Sequence, residues 1–118
     1  SHKGRGAEFK KITIFKHQQL AYLCTRLAAM PEGDSTVLDN SCLLFLSSMF
    51  EGWAHNAGHL PVLTVGGLGG SLKTGRTLNF RKSKKAERKL CGLFLGIMQR
   101  MGLPDRSFGD AQRPLAGL

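Results

Sequence analysis

Apolar residues recur along the chain in two different rhythms. From Glu8 to Met30, Ile12, Phe15, Leu20, Leu23, Leu27 and Met30 return at spacings of three to five, with Lys10, Lys11, Lys16, Gln18 and Arg26 mostly between them. That spacing predicts an amphipathic helix, stopped by Pro31 and Gly33. A second helix is predicted over about Ala86 to Met101, where Leu90, Leu93, Phe94, Ile97, Met98 and Met101 repeat at steps of three and four. Gly102 suits the residue after a helix end, and Pro104 lies just beyond it. Between the helices the rhythm changes. Cys42 to Leu46 and Pro61 to Val65 are short continuous apolar runs bounded by polar residues and glycines, the pattern of buried strands. Glu32 to Ser35 reads as a turn, Thr77 to Phe80 as a short edge strand, and Asp105 to Leu118 as an irregular tail that packs through Phe108 and Leu115.

The order is helix, strand, loop, strand, glycine loop, basic segment, helix. It predicts an α/β fold: a small partial sheet with two flanking amphipathic helices. The loop of about fourteen residues between the strands argues against a hairpin. A length of 118 residues bounds the chain to a single domain, 1–118. Two or three strands make a small sheet for this class. With the start Ser1-His2-Lys3, this points to a fragment of a larger α/β domain.

Charge changes the picture locally. The net charge is +9, and the excess is concentrated: residues 73 to 89 hold eight Lys or Arg and one Glu. Lys73, Arg76, Arg81, Lys82, Lys84, Lys85, Arg88 and Lys89 form a segment suited to a polyanion, nucleic acid or other acidic partner, or simply to water. The aromatic residues do not interleave with these cations, so the stacking platform of a single-strand binder is missing. Three widely spaced cysteines, Cys24, Cys42 and Cys91, sit in apolar contexts and read as free thiols. No apolar run reaches the roughly 18 residues of a membrane span, and no signal-peptide pattern is visible.

The loop after Leu46 carries Glu51, Trp53, His55, Asn56 and His59. Ligands of open α/β sheets bind beyond the carboxyl ends of strands, which makes this loop the first place to look for chemistry. His55, His59 and Glu51 together are donors enough for an open divalent-metal site. Equally, one imidazole can serve the backbone while the other faces water. Gly67 to Thr74 superficially resembles a phosphate-binding loop. Leu72 stands where that pattern needs Gly, and no helix starts after it. The GxSxG pattern is absent, and Cys42 lacks the exposed, electropositive setting of a reactive thiol.

Taken in order, Pro31-Glu32-Gly33-Asp34, Leu38-Asp39-Asn40-Ser41, His55-Asn56 before Leu60-Pro61-Val62-Leu63, the glycine cluster, Leu72-Lys73-Thr74-Gly75-Arg76, Arg100-Met101-Gly102 and Phe108-Gly109-Asp110 resemble the C-terminal part of the bacterial HXXSHH-motif proteins. The resemblance covers nearly the whole chain. It implies the end of an alkaline-phosphatase and sulfatase type of α/β domain, and a metal-dependent hydrolase of phosphate or sulfate esters. His2, Glu51, His55 and His59 become the implied metal ligands, with Glu51 and His55 as acid/base groups. The name-giving motif is cut: Ser1-His2 would be its Ser-His, and Lys3 stands in place of its last His. In the central loop Ala57 and Gly58 replace a His and an Asp, and His59 an Asn. Ala and Gly offer no lone pair, so the expectation is an inactive remnant. The alternative is a non-catalytic polyanion- or nucleic-acid-binding module working through segment 73–89.

Overall fold

A computed structural model describes residues 4–49, 54 and 58–118. They form a mixed α/β structure of two helices and two small antiparallel two-stranded sheets. The chain divides into two compact units, Ser1–Gly66 and Gly67–Leu118.

In the first unit, α1 runs Gly6–Ala28. Its last turns accept bonds at the Thr25, Arg26 and Leu27 carbonyls from the Ala29 and Met30 N–H groups, and Pro31 ends it. The turn foreseen over Glu32 to Ser35 is the loop of a small hairpin, β1 (Pro31–Glu32) with β2 (Ser35–Thr36). Polar side chains tie that hairpin to the segment leading into the next strand. The Thr36 N–H and Oγ donate to Asp39 Oδ2 at 2.9 and 2.8 Å. Asn40 Nδ2 donates to Glu32 Oε2 at 2.6 Å and to Ser35 Oγ at 2.9 Å. The backbone also folds back on the helix end: Val37 N–H donates to Met30 and Leu38 N–H to Leu27.

The two apolar runs become β3 (Leu43–Leu46) and β4 (Val62–Val65), as neighbours. Two expectations are corrected here. The strands pair antiparallel, Leu43 opposite Val65 and Leu46 opposite Val62, so they form a hairpin with a long connection. A long loop costs little more closure entropy than a short one, so its length did not forbid the pairing. Nor are the strands buried. Leu43 and Phe45 are half-buried, whereas Leu44, Leu46, Val62 and Leu63 are exposed. Phe45 meets the His17 ring of α1 edge-on, with centroids 4.8 Å apart, and Leu20 and Leu23 line a shallow groove beside Leu43. The same groove is lined by Lys16, Gln19, Cys42, Leu44 and Phe45, so α1 lies on the β3 side of the pair. Directly opposed residues share a face, which sets Leu44, Leu46, Val62 and Thr64 on one and Leu43, Phe45, Leu63 and Val65 on the other. A continuous apolar run cannot reveal how little of it is covered.

Gly66 closes this unit. Its φ is +100°, and a Cβ there would lie 2.2 Å from the Ser41 carbonyl oxygen and 2.7 Å from that of Leu38. Only glycine lets the end of β4 lie so close to the entry to β3.

In the second unit, the glycine stretch folds into a tight turn. Gly70 and Leu72 N–H groups donate to the Gly67 carbonyl, and Ser71 N–H to that of Leu68. The turn ends on the buried Leu72. Thr77 to Phe80, foreseen as an edge strand, is irregular, since no strand runs beside it to bond its backbone. The second helix is shorter than foreseen. A 3-10 turn covers Lys85–Glu87, and α2 runs Leu90–Arg100, ending at Gly102 with φ +90° and a Leu103 N–H to Met98 carbonyl bond.

The core gathers around α2. Leu93, Leu95 and Ile97 are buried, with Leu72 and Ala111. Gly92 and Gly96 are four apart, and side chains there would press on Arg113, Pro114, Leu115 and Leu118. Their absence lets the tail lie directly on the helix. Leu115 N–H donates to the Gly92 carbonyl at 2.8 Å, and Phe108 packs edge-on to Phe94. Arg100 fastens the arrangement, donating to the Ser71, Gly96 and Leu118 carbonyls.

Candidate functional site

Of the four residues proposed as metal ligands, His2, Glu51 and His55 lie outside the described residues, as do Trp53, Asn56 and Ala57. His59 is described and lies exposed in a turn before β4. Among the described residues no group of three or more His, Cys, Asp or Glu side chains is placed to hold a metal ion. The loop does run from the end of β3 to the start of β4, the position that strand order predicted.

In the Pro31–Asp34 and Leu38–Ser41 stretches Glu32, Asp39, Asn40 and Ser41 make structural hydrogen bonds. Glu32, Ser35, Thr36, Asp39 and Asn40 spend their hydrogen bonds on one another and on nearby backbone, and Ser41 Oγ donates to Val37. Such side-chain-to-backbone bonding fixes turns. Burial pushes the Cys42 thiol up, so it is neutral and a poor nucleophile near neutral pH. In the glycine turn the Gly70, Ser71 and Leu72 N–H groups donate to the Gly67 and Leu68 carbonyls, and no helix follows the turn to aim amides at a phosphate. His17, which no motif singled out, donates Nδ1–H to the Thr13 carbonyl at 2.8 Å and serves packing.

The basic segment is described in full. It is strung between buried Leu72 and the start of α2. Phe80, Ser83, Glu87 and Leu90 turn partly inward at steps of three and four, and most of the cations between them face water. Some cations have local work. Arg76 Nε donates to the Lys73 carbonyl at 3.1 Å, and Arg88 to that of Arg81 at 3.3 Å. Lys89 is half-buried, bonds the Asp110 carbonyl and lies 3.6 Å from its carboxylate. Lys73, Arg81, Lys82, Lys84 and Lys85 are exposed, with no ion pair among the described residues. The geometry thus sorts the eight cations. Lys89 braces the fold, two guanidinium groups shape the loop, and five project from an anchored segment. Charge density along sequence found the segment; only the structure shows which members are committed.

No helix among the described residues is long and apolar enough to cross a membrane. Compared with known protein families, curated proteins and solved structures, the chain matches none.

Proposed function

We propose that this chain is a non-catalytic polyanion-binding module whose working surface is the segment from Lys73 to Lys89. The observation that carries the reading is the exposed set Lys73, Arg81, Lys82, Lys84 and Lys85, free of ion pairs among the described residues and held at both ends by the fold. Such a cluster attracts phosphate or sulfate groups along a polymer, and its affinity comes largely from released counterions. Nucleic acid and sulfated polysaccharide both present that charge. An anchored loop also loses less conformational entropy on binding than a free tail.

The test is binding to duplex DNA and to heparin across a salt series. The logarithm of affinity falls linearly with that of salt, with a slope of about −0.9 per phosphate neutralised on B-DNA. Replacing Arg81, Lys82, Lys84 and Lys85 by Gln makes that slope shallower by roughly 3 to 4 and abolishes binding at moderate salt. No binding by the unmodified protein at low salt overturns the reading.

The ester-hydrolase reading rests on the motif resemblance and on His59, the one implied ligand whose position is described. With Ala57 and Gly58 at two polar positions of the pattern, it predicts neither tight zinc nor turnover by this chain. Calorimetric zinc titration together with an ester-hydrolysis assay of His55→Ala decides it. Turnover that depends on His55 restores the hydrolase reading.

A further inference from the structure

The basic run ends in sequence at Lys89, yet the fold brings a further cation to the same place. Three contacts gather distant parts of the second unit around the start of α2. Arg88 Nη1 donates to the Arg81 carbonyl at 3.3 Å, which folds the basic segment back on its own end. Lys89 Nζ donates to the Asp110 carbonyl, where Phe108 and Ala111 exchange backbone hydrogen bonds in a tight turn. Just past that turn the tail settles on Gly92. Leu115 N–H donates to the Gly92 carbonyl at 2.8 Å, and a Cβ on Gly92 would lie 3.2 Å from the Arg113 carbonyl oxygen. The backbone of Arg113 is therefore held beside the first turn of α2. The residue is exposed, and its guanidinium has no ion pair or hydrogen bond among the described residues.

We propose, resting on the polyanion reading above, that Arg113 belongs to the same surface: a phosphate polymer lying on Arg81, Lys82, Lys84 and Lys85 continues onto its guanidinium. Reach allows this. The chain from Lys85 to Gly92 spans at most about 25 Å even when fully extended, less than one turn of B-DNA, about 34 Å. Charge favours it as well. Asp110, the carboxylate carried by the turn before Arg113, lies 3.6 Å from Lys89 Nζ and is matched there. Arg106 supplies the contrast. It is also exposed and without an ion pair among the described residues, but Gln99 Nε2 holds the neighbouring Asp105 carbonyl at 2.9 Å, in the last turn of α2. At a rise of 1.5 Å per residue, Gln99 lies about 10 Å along the helix from Gly92. The two arginines thus carry one charge each, at opposite ends of α2. The tail backbone already rests on the helix at Arg113, so its contact is read in salt dependence rather than in amide exchange.

The test measures the salt dependence of binding to a short DNA duplex for the unmodified chain, Arg113→Gln, Arg113→Lys and Arg106→Gln. Arg113→Gln makes the slope of log affinity against log salt shallower by about 0.9, the share of one phosphate. Arg113→Lys keeps the slope, because Lys serves phosphate as a point charge. Arg106→Gln also keeps it. Amide protection of α2 is the same in all four chains, which separates a lost contact from a lost fold. An unchanged slope in Arg113→Gln overturns the proposal and leaves the polyanion reading standing. An equal change in Arg106→Gln overturns it too, since net charge alone then explains both, as does a Lys variant with the slope of the Gln variant or loss of α2 protection in Arg113→Gln. Absence of DNA binding by the unmodified chain at low salt overturns both readings together.

Discussion

The two units of this chain solve opposite problems. Ser1–Gly66 is rich in apolar residues yet contains no buried side chain among those described, whereas every buried hydrophobic residue of the described chain belongs to Gly67–Leu118. Phe15 and Tyr22 of α1 are about three-fifths exposed, while Leu95 of α2 is wholly covered. The difference arises from what each helix is given to pack against. α2 carries glycines at two positions on one side, so the tail can press onto its backbone and enclose its neighbours. α1 meets a two-stranded sheet on one side only. Apolar content alone does not make a core; a second layer must cover it.

Charge follows the same division. The second unit combines the core with eleven Lys or Arg against three Asp or Glu, while the first is near balance. Mutual repulsion among exposed cations destabilises a fold, and the α2 core with its Arg100 fastening offsets that cost. The proposed polyanion surface, Lys73 to Lys89, therefore lies on the better-held unit.

The sharpest way to break the comparison is Gly66→Ala. The new methyl group meets two carbonyl oxygens and a positive φ, so the first unit loses about 3 kcal/mol or more. With no buried side chains to resist, it unfolds, and urea titration followed by amide exchange shows α2 still protected. Loss of protection in both units alike contradicts the division. Next in size is Arg100→Ala, which strands three carbonyls that now share one guanidinium and lowers the stability of the second unit by about 2 kcal/mol. Unchanged protection of α2 in that variant rules out the fastening role. Replacing Arg81, Lys82, Lys84 and Lys85 by Gln has a smaller effect on stability, within about 0.5 kcal/mol in chemical denaturation, although it abolishes polyanion binding. Unfolding of that variant shows that the cations are structural.

The smallest effect concerns pH. Burial raises the folded-state pKa of Cys42 above its unfolded value. Its neutral thiol therefore contributes stability that is present below the ordinary thiol pKa of about 9 and is lost as pH rises through the folded value. Half-exposure keeps this contribution small. Cys42→Ala removes the alkaline slope from the first unit's stability, and an unaltered slope refutes the assignment.

Local signals in the sequence located both helices to within a few residues, placed β3 and β4 as neighbours and marked Gly102 as a helix end. They were legible because periodicity and glycine act over one or two turns. Four features were not legible. The cover on β3 and β4 is set by how much chain packs on each face, and Leu43 and Leu44 look alike in sequence. Leu95 lies off the apolar stripe read for α2, and it is buried because the tail crosses beside Gly92 and Gly96. The motif run of the resemblance passes through Glu32, Asp39 and Asn40. Glu32, Asp39 and Asn40 bond within one local network that holds a turn, a use that residue identity cannot distinguish from ligation. The basic segment was legible as charge, but the diversion of Lys89 to Asp110 depends on residues twenty-one positions apart.

The most direct measurement of the whole account is amide hydrogen exchange along the dilute chain, with and without a heparin oligosaccharide. The account predicts slowest exchange in α2 from Gly92 to Ile97, fast exchange along α1, and added protection on heparin confined to residues 73–89. Protection in α1 equal to that in α2, or a heparin effect that falls outside 73–89, contradicts it.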